Sequence, residues 1–152
     1  PNAVIRAEMY EAVIGEGSNI QDFAMIHIGG STGTTVGRNC SITHRVTLHG
    51  CTIGDNVLVG IGATIMDGCV IGENSIIAGG AFLKENTVIP PNSIVAGIPA
   101  VLKASRDCGP ANRFNAWLYT ANADAYARRQ RRFWDGAGLD AAAARFGFSR
   151  RP

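Results

Sequence analysis

The sequence has little of several features that would define a function class at once. Its 152 residues carry a formal net charge of only +2, and charged residues make up 17% of the chain. No stretch approaches the roughly 20 apolar residues of a membrane-spanning helix. The start also lacks the charged-then-apolar pattern of a signal peptide. These absences argue against a nucleic-acid or membrane partner.

Cysteine does not occur in paired motifs. The four cysteines, Cys40, Cys51, Cys69 and Cys108, include no CxxC pair, and the first three lie where a repeat otherwise has small residues. This usage predicts reduced thiols and a cytoplasmic protein. The length predicts one globular core with an appendage.

An aliphatic residue recurs at every sixth position through most of the chain. Neither the three-and-four spacing of a helix nor the alternation of a half-buried strand produces a strict period of six, so the pattern predicts a β-solenoid. The fourth residue after each aliphatic is usually small. The column consists of Ile14, Ile20, Ile26, Val36, Ile42, Leu48, Ile53, Val59, Ile65, Ile71, Ile77, Leu83, Ile89, Val95 and Val101.

Each hexapeptide is predicted to form one short strand and a corner, so that three hexapeptides close a coil of 18 residues. The aliphatics point inward and stack on those of neighbouring coils, about 4.8 Å apart. The predicted domains are a β-helix over residues 1–104 and a helical appendage over 105–152 that packs on the prism. The start at Pro1, without a Met, leaves open that the first coil is incomplete.

Several segments accompany the column and resemble a known family: "IGEGSNIQD", "LHGCTIGDNVLVGIGA" and "VIPPNSIVAGIPA". With them, residues 6 to about 102 resemble the hexapeptide-repeat family and, within it, the γ-class carbonic anhydrases. The resemblance implies an all-β solenoid, a left-handed parallel β-helix with a C-terminal α-helix. The period alone does not give the handedness, since most crossover connections are right-handed.

All three histidines of the chain fall within 23 positions. His27 follows Ile26 and His49 follows Leu48, so their separation of 22 residues is one 18-residue coil plus four residues inserted at "GGSTGTT". This places both on one face in adjacent coils, about 4.8 Å apart, where they can bind one metal at about 2.0–2.1 Å. Outward-facing polar positions that are His by chance would be scattered over the coils instead.

His44 lies two residues past Ile42, on the preceding face and around a corner. The spacing therefore predicts a metal site shared between subunits, which three identical interfaces would complete in a homotrimer. The γ-class resemblance implies the same ligands, with His27 and His49 from one subunit and His44 from the next. A single catalytic histidine, as in hexapeptide acyltransferases, would leave the other two unexplained.

Three neutral imidazoles leave a zinc ion with an open position, where a bound water has its pKa lowered to about 7. The resemblance implies that the resulting hydroxide reversibly hydrates carbon dioxide to bicarbonate. The expected cofactor is Zn²⁺, with Fe²⁺ or Co²⁺ as alternatives. The "GGSTGTT" segment contains no carboxylate, whereas the prototype enzymes carry an acidic proton-shuttling loop there, so we expect a low rate.

The resemblance also assigns supporting residues. Gln21 matches a catalytic Gln that orients metal-bound solvent, and Asn19 and Asp22 share its "NIQD" motif near the interface. Arg6 and Glu8 take the place of an Arg and an Asp, and Glu8 is one methylene longer, so an intersubunit salt bridge is still feasible. From the residues alone, Gln21 is equally a solvated strand position and Asp22 a corner residue that favours the turn.

After Val101 the period of six stops. A glycine–proline pair at 109–110 predicts a break, and apolar residues at helical spacing from about Asn112 predict an amphipathic helix along the prism. The four arginines between 128 and 132 are expected to be solvated near its C-terminal end, where cations suit the helix dipole. A short Ala-rich helix is predicted near Leu139 to Phe146.

Two other functions remain open. Hexapeptide prisms often hold coenzyme A thioesters between subunits, so an acyltransferase or acyl-CoA thioesterase is the alternative from another enzyme class. A metal-binding scaffold of low activity is also compatible with the missing acidic loop. Bound metal separates the hydratase and the scaffold from a metal-free transferase, and turnover of carbon dioxide separates the hydratase from the scaffold.

Overall fold

Over residues 2–105 the chain winds into five stacked coils of three short strands each. The computed structural model describes residues 2–129, 141–142 and 144–147. The strands of the coils are, in chain order, β1 (Val4–Arg6), β2 (Ala12–Ile14) and β3 (Asn19–Ile20); β4 (Met25–His27), β5 (Thr34–Val36) and β6 (Ser41–Ile42); β7 (Thr47–His49), β8 (Thr52–Ile53) and β9 (Leu58–Val59); β10 (Thr64–Ile65), β11 (Val70–Ile71) and β12 (Ile76–Ile77); and β13 (Phe82–Leu83), β14 (Val88–Ile89) and β15 (Ser93–Gly97), with β16 (Ala100–Ser105) after them.

Strands three apart in the chain are neighbours in one of three sheets. Sheet A orders β1, β4, β7, β10 and β13; sheet B orders β2, β5, β8, β11 and β14; sheet C orders β3, β6, β9, β12, β15 and β16. Neighbouring strands are parallel, except that β15 and β16 form an antiparallel hairpin. The parallel β-solenoid predicted from the period of six is confirmed.

The interior of the coils is one aliphatic column. From Ile26 to Leu83, every residue of the predicted column is at most 1% exposed. Burial of each such side chain contributes roughly 1.5–3 kcal/mol. The last predicted member is wrong: Val101 is 50% exposed and pairs antiparallel with Ala96, because the chain reverses in the hairpin instead of starting another coil.

The corner between sheets B and C depends on residues with a left-handed backbone. Asn39, Asn56, Asn74 and Asn92 each lie three residues after a column aliphatic, with φ between 52° and 59°. Asparagine tolerates this conformation better than most residues. Asn56 Nδ2 donates to Asn74 Oδ1 at 3.0 Å, and Asn74 Nδ2 donates to Asn92 Oδ1 at 3.2 Å. This ladder ties successive coils together at the corner.

Helix α1 (Gly109–Ala127) packs on sheet C. Asn112 is 2% exposed, and its Nδ2 donates to the carbonyl oxygens of Asn56 at 2.8 Å and Ser75 at 3.0 Å. The helix begins three residues before the predicted start, because Pro110 suits a first turn whose amide groups have no partner within the helix. One buried amide side chain therefore fixes the helix to two coils.

Two predictions for the C-terminal region lie partly outside the described residues. They are the arginine run, of which Arg131 and Arg132 are not described, and the helix near Leu139 to Phe146, of which 141–142 and 144–145 are helical. Within the described part of the chain, no helix has the length and apolar character that crossing a membrane requires.

The buried cysteines predict a loss of stability at alkaline pH. Cys40 and Cys51 are free and buried, and burial raises the pKa of the Cys40 thiol to about 11 and that of Cys51 to about 12. Thiols of an unfolded chain ionise near a pKa of about 8.5. Between about pH 9 and 11 the unfolded state thus binds fewer protons than the folded state, so the free energy of unfolding falls as pH rises.

Urea unfolding of the wild type and of Cys51→Ala across this pH window tests the prediction. Each protected thiol contributes a slope of about −1.4 kcal/mol per pH unit. The free energy of unfolding of the variant should therefore fall with pH less steeply than that of the wild type, by about this slope. A change in stability that is the same at every pH does not affect this comparison. Two parallel curves would contradict the prediction.

Candidate metal centre

His27 and His49 form a stacked pair at the ends of β4 and β7 in sheet A. Their backbones pair in register, as the count of one coil plus four residues predicts. His27 Nδ1 lies 3.1 Å from His49 Nε2. At this distance the two nitrogens share at most one hydrogen. A single chain therefore brings two imidazole nitrogens to one point.

The other nitrogen of each ring meets a carboxylate. Glu8 Oε2 lies 3.0 Å from His27 Nε2, and Asp67 Oδ2 lies 2.7 Å from His49 Nδ1. A carboxylate that accepts a hydrogen bond from one ring nitrogen fixes the ring and leaves the opposite nitrogen to bind a metal. The pair is thus held from both sides.

His44 is held separately, in the turn between β6 of sheet C and β7 of sheet A. Its Nδ1 lies 3.1 Å from Asp22 Oδ2, so it too has a carboxylate on one ring nitrogen. Among the residues that the structure describes, no three His, Cys, Asp or Glu side chains come together in a group that could hold a metal ion. One chain carries the donors as a pair and a single histidine, at different places on the prism.

Asn19 and Gln21 lie at sheet C, on the face of the prism next to the one that carries the histidine pair. Gln21 directly follows β3 in sheet C, and the chain then turns a corner before it reaches His27. Gln21 is 6% exposed, and its Nε2 donates to Asn19 Oδ1 at 3.0 Å. Asn19 Nδ2 donates to Ser41 Oγ at 3.1 Å. This chain of hydrogen bonds fixes the orientation of the Gln21 amide.

A cavity of about 600 Å³ lies between this part of sheet C and helix α1. Its amide and phenol groups can hydrogen-bond to a small polar ligand. The lining residues are Asn19, Ile20, Gln21, Asp22, Tyr119, Asn122, Ala123 and Tyr126.

Arg6 pairs with Glu8 within the chain. Arg6 Nη1 lies 3.1 Å from Glu8 Oε1, while the other carboxylate oxygen meets His27. Arg6 is also the register partner of His27 in sheet A. The role predicted for Arg6 and Glu8 between subunits stays a prediction, and inside the chain they form one connected group with the histidine pair.

Asp67 is the residue of this site that the sequence reasoning missed. Ile65 pairs with Leu48, so Asp67 lies one residue past the position opposite His49. The signal was available, because the same coil count that aligns His27 with His49 places Asp67 on the next coil.

Comparison with known proteins relates this geometry to a family. A family model described as bacterial transferase hexapeptide (six repeats) matches residues 50–85. The crystal structure of a hexapeptide transferase family protein from Anaplasma phagocytophilum has a TM-score of 0.78 and 31% sequence identity, over 82% of this chain and 75% of that chain. The chain belongs to the hexapeptide transferase family. Its solenoid is the left-handed parallel β-helix that the resemblance implied.

Other relatives of this hexapeptide-family chain have two kinds of name. A "Probable carbonic anhydrase" from Methanocaldococcus jannaschii is 49% identical over 64 residues, which are 42% of this chain and 40% of that protein. "Gamma carbonic anhydrase 1, mitochondrial" from Arabidopsis thaliana is 37% identical over 70 residues, 42% of this chain and 26% of that protein. A serine acetyltransferase structure from Brucella abortus has a TM-score of 0.54 and 35% identity, over 64% of this chain and 41% of that chain.

The match spans less than half the length of these curated relatives. The resemblance to γ-class carbonic anhydrases is confirmed as a similarity. The chain is similar to a serine acetyltransferase as well, so these similarities alone do not select the reaction.

Proposed function

We propose that the protein catalyses the reversible hydration of carbon dioxide to bicarbonate at a metal site shared between the subunits of a homotrimer. The observation that carries this proposal is the arrangement of the histidines. Each of the three has one ring nitrogen within 3.1 Å of a carboxylate oxygen. The other nitrogens of His27 and His49 face each other at 3.1 Å. The names of the Methanocaldococcus and Arabidopsis relatives support the reaction. We also propose a cytoplasmic location.

The donor set fits a zinc ion. Two nitrogens bound at about 2.0–2.1 Å to a tetrahedral zinc lie about 3.3 Å apart, close to the 3.1 Å between His27 Nδ1 and His49 Nε2. His44 of the partner subunit would add the third imidazole. Imidazole ligands also suit ferrous and cobalt ions, so the native metal is part of the test.

Zinc held in this way would supply a Lewis acid that lowers the pKa of a coordinated water to about 7. The residues of the chain hold and orient the site. Glu8 and Asp67 fix the two rings, and Asp22 fixes His44. Gln21 donates to Asn19 through Nε2, which leaves its Oε1 as an acceptor that can orient water.

The cavity beside helix α1 favours a second candidate, an acyltransferase or acyl-CoA thioesterase. Its volume of about 600 Å³ is far larger than a three-atom substrate needs and lies in the usual range of small-molecule sites. Similarity to the Brucella serine acetyltransferase supports the same candidate. Acyl transfer by metal-free protein would favour it, whereas bound metal without turnover would indicate a low-activity scaffold.

The first prediction of the proposed function concerns shared ligation. His27→Ala and His44→Ala should each abolish metal binding in a protein that light scattering shows to be trimeric. When the two variants are mixed and their subunits exchange, about a quarter of the interfaces should regain metal, since each correct half is present with a chance of about one half. Metal analysis of the separated trimers measures the recovery.

The matched control is a mixture of His27→Ala with His49→Ala. Both residues lie on the same half of the site, so no interface in that mixture can be complete and no metal should return. Equal recovery in the two mixtures would show that the halves are assigned wrongly. A monomer that binds metal through all three histidines would also contradict the shared site.

The second prediction concerns proton transfer. The insertion at "GGSTGTT" offers no carboxylate, and the carboxylates of Glu8 and Asp67 already lie against imidazole nitrogens, at 3.0 Å and 2.7 Å. External buffer must therefore carry away the proton released in each hydration. Raising the concentration of an imidazole-type buffer at fixed pH and ionic strength should raise kcat and leave kcat/KM nearly unchanged in stopped-flow assays.

Gly30→Glu tests whether a carboxylate in the inserted loop can replace external buffer as the proton carrier. A Cβ at Gly30 has no neighbour within 4 Å, so the loop has room for the new side chain. The variant should depend less on buffer than the wild type. A metal-loaded trimer that hydrates no carbon dioxide at any buffer concentration would reject the proposed reaction.

A further inference from the structure

Asp67 has its two carboxylate oxygens in different surroundings. Oδ2 lies 2.7 Å from His49 Nδ1. Oδ1 lies against Gly29 and Gly50, so close that a Cβ built on Gly29 would be 2.0 Å from it and one on Gly50 would be 2.8 Å from it. Glycine at position 29 is therefore what leaves room for the carboxylate.

The insertion after His27 is folded tightly over this carboxylate. The backbone N–H of Gly29 donates to the carbonyl oxygen of Thr32 at 2.8 Å. The hydroxyl of Thr32 donates to the carbonyl oxygen of Gly50 at 2.9 Å. The inserted residues and the turn after His49 thus close together around Asp67.

We propose that Asp67 is a positioning residue, which fits against the insertion because position 29 is glycine and which fixes the tautomer of His49. By accepting from Nδ1–H, Asp67 places the hydrogen of the neutral ring on Nδ1 and the lone pair on Nε2, the nitrogen that faces His27. The effect of Asp67 on metal binding rests on the proposed function. The effect of Asp67 on the His49 tautomer does not rest on that function, because Asp67 contacts His49 within a single chain without metal.

Asp55 shows what an aspartate at the same place in the repeat does without a histidine. It lies two residues after the buried Ile53, as Asp67 lies two residues after Ile65. Asp55 Oδ1 accepts from the backbone N–H of Arg38 at 2.8 Å, which is an ordinary contact of a corner residue. Asp67 differs because one oxygen is directed at an imidazole nitrogen.

The test compares two pairs of variants, Asp67→Ala with Asp55→Ala and Gly29→Ala with Gly30→Ala. Gly29→Ala displaces the Asp67 carboxylate without removing it, since the new Cβ collides with Oδ1, whereas a Cβ at Gly30 meets nothing within 4 Å. Neither glycine has a positive φ, so the backbone tolerates alanine at both positions. Gly29→Ala keeps the test informative if Asp67→Ala does not fold.

The first measurement is nitrogen NMR of metal-free protein labelled in its three histidines, at mildly alkaline pH. The wild type, Asp55→Ala and Gly30→Ala should show His49 with hydrogen on Nδ1. Asp67→Ala and Gly29→Ala should shift His49 toward the tautomer with hydrogen on Nε2, which prevails in a free histidine side chain. An unchanged His49 spectrum in both of these variants overturns the proposal, whether or not the protein is a carbonic anhydrase.

The second measurement is zinc affinity by competition with a chelator, on protein confirmed to be folded and trimeric. Asp67→Ala and Gly29→Ala should bind zinc about 10–100-fold more weakly, the usual cost of losing such a supporting contact, and the two controls should match the wild type. A shifted tautomer with unchanged zinc affinity would limit Asp67 to the apo chain and overturn its role toward the metal. Failure of the wild type to bind zinc, ferrous iron or cobalt would reject the proposed function and leave the tautomer result intact.

Discussion

The register between successive coils is the constraint on which the rest of the structure depends. Parallel strands about 4.8 Å apart must stack residue on residue, so a buried aliphatic in one coil dictates the position of the aliphatic in the next. Any insertion must then be absorbed at a corner. The four residues added after His27 leave Ile26 paired with Leu48, and only because of this does His49 lie against His27.

This constraint explains why so much of the fold was predictable from the sequence. The period of six assigns the strands from β2 to β15 to faces, and counting along it gives the pairing of His27 with His49. The same rule fails where the chain leaves the repeat. Val101 keeps the spacing of six but does not point into the core, because β16 runs antiparallel to β15 after a reversal at which Gly97 has a φ of 107°. The period does not describe this reversal.

The candidate site was predictable to a lesser degree, because side-chain contacts across a corner depend on the path of the backbone between strands. The period of six gives the face of the prism on which Gln21 lies. Its hydrogen bond to Asn19 and its place beside helix α1 depend on how the helix packs on sheet C, which the repeat does not specify. Asp67 was missed for a related reason. The coil count places Asp67 on the coil next to His49, but the room for its carboxylate depends on Gly29 having no side chain. A glycine in a loop is normally explained by backbone freedom rather than by the space it leaves.

The division of the histidines also has a physical basis in the prism. The backbones of His27 and His49 end strands of sheet A, whereas His44 lies just before a strand of that same sheet begins, and inward space between them is filled by the aliphatic core. Side chains that point outward from separate places on a rigid prism can meet only if another surface brings them together. A rigid solenoid therefore favours sites built between copies, since it cannot close around a ligand by folding on itself. In that setting the inserted loop, which has no carboxylate of its own, still shapes the site, because Gly29 leaves room for the carboxylate of Asp67 beside the ring that the register has already aligned.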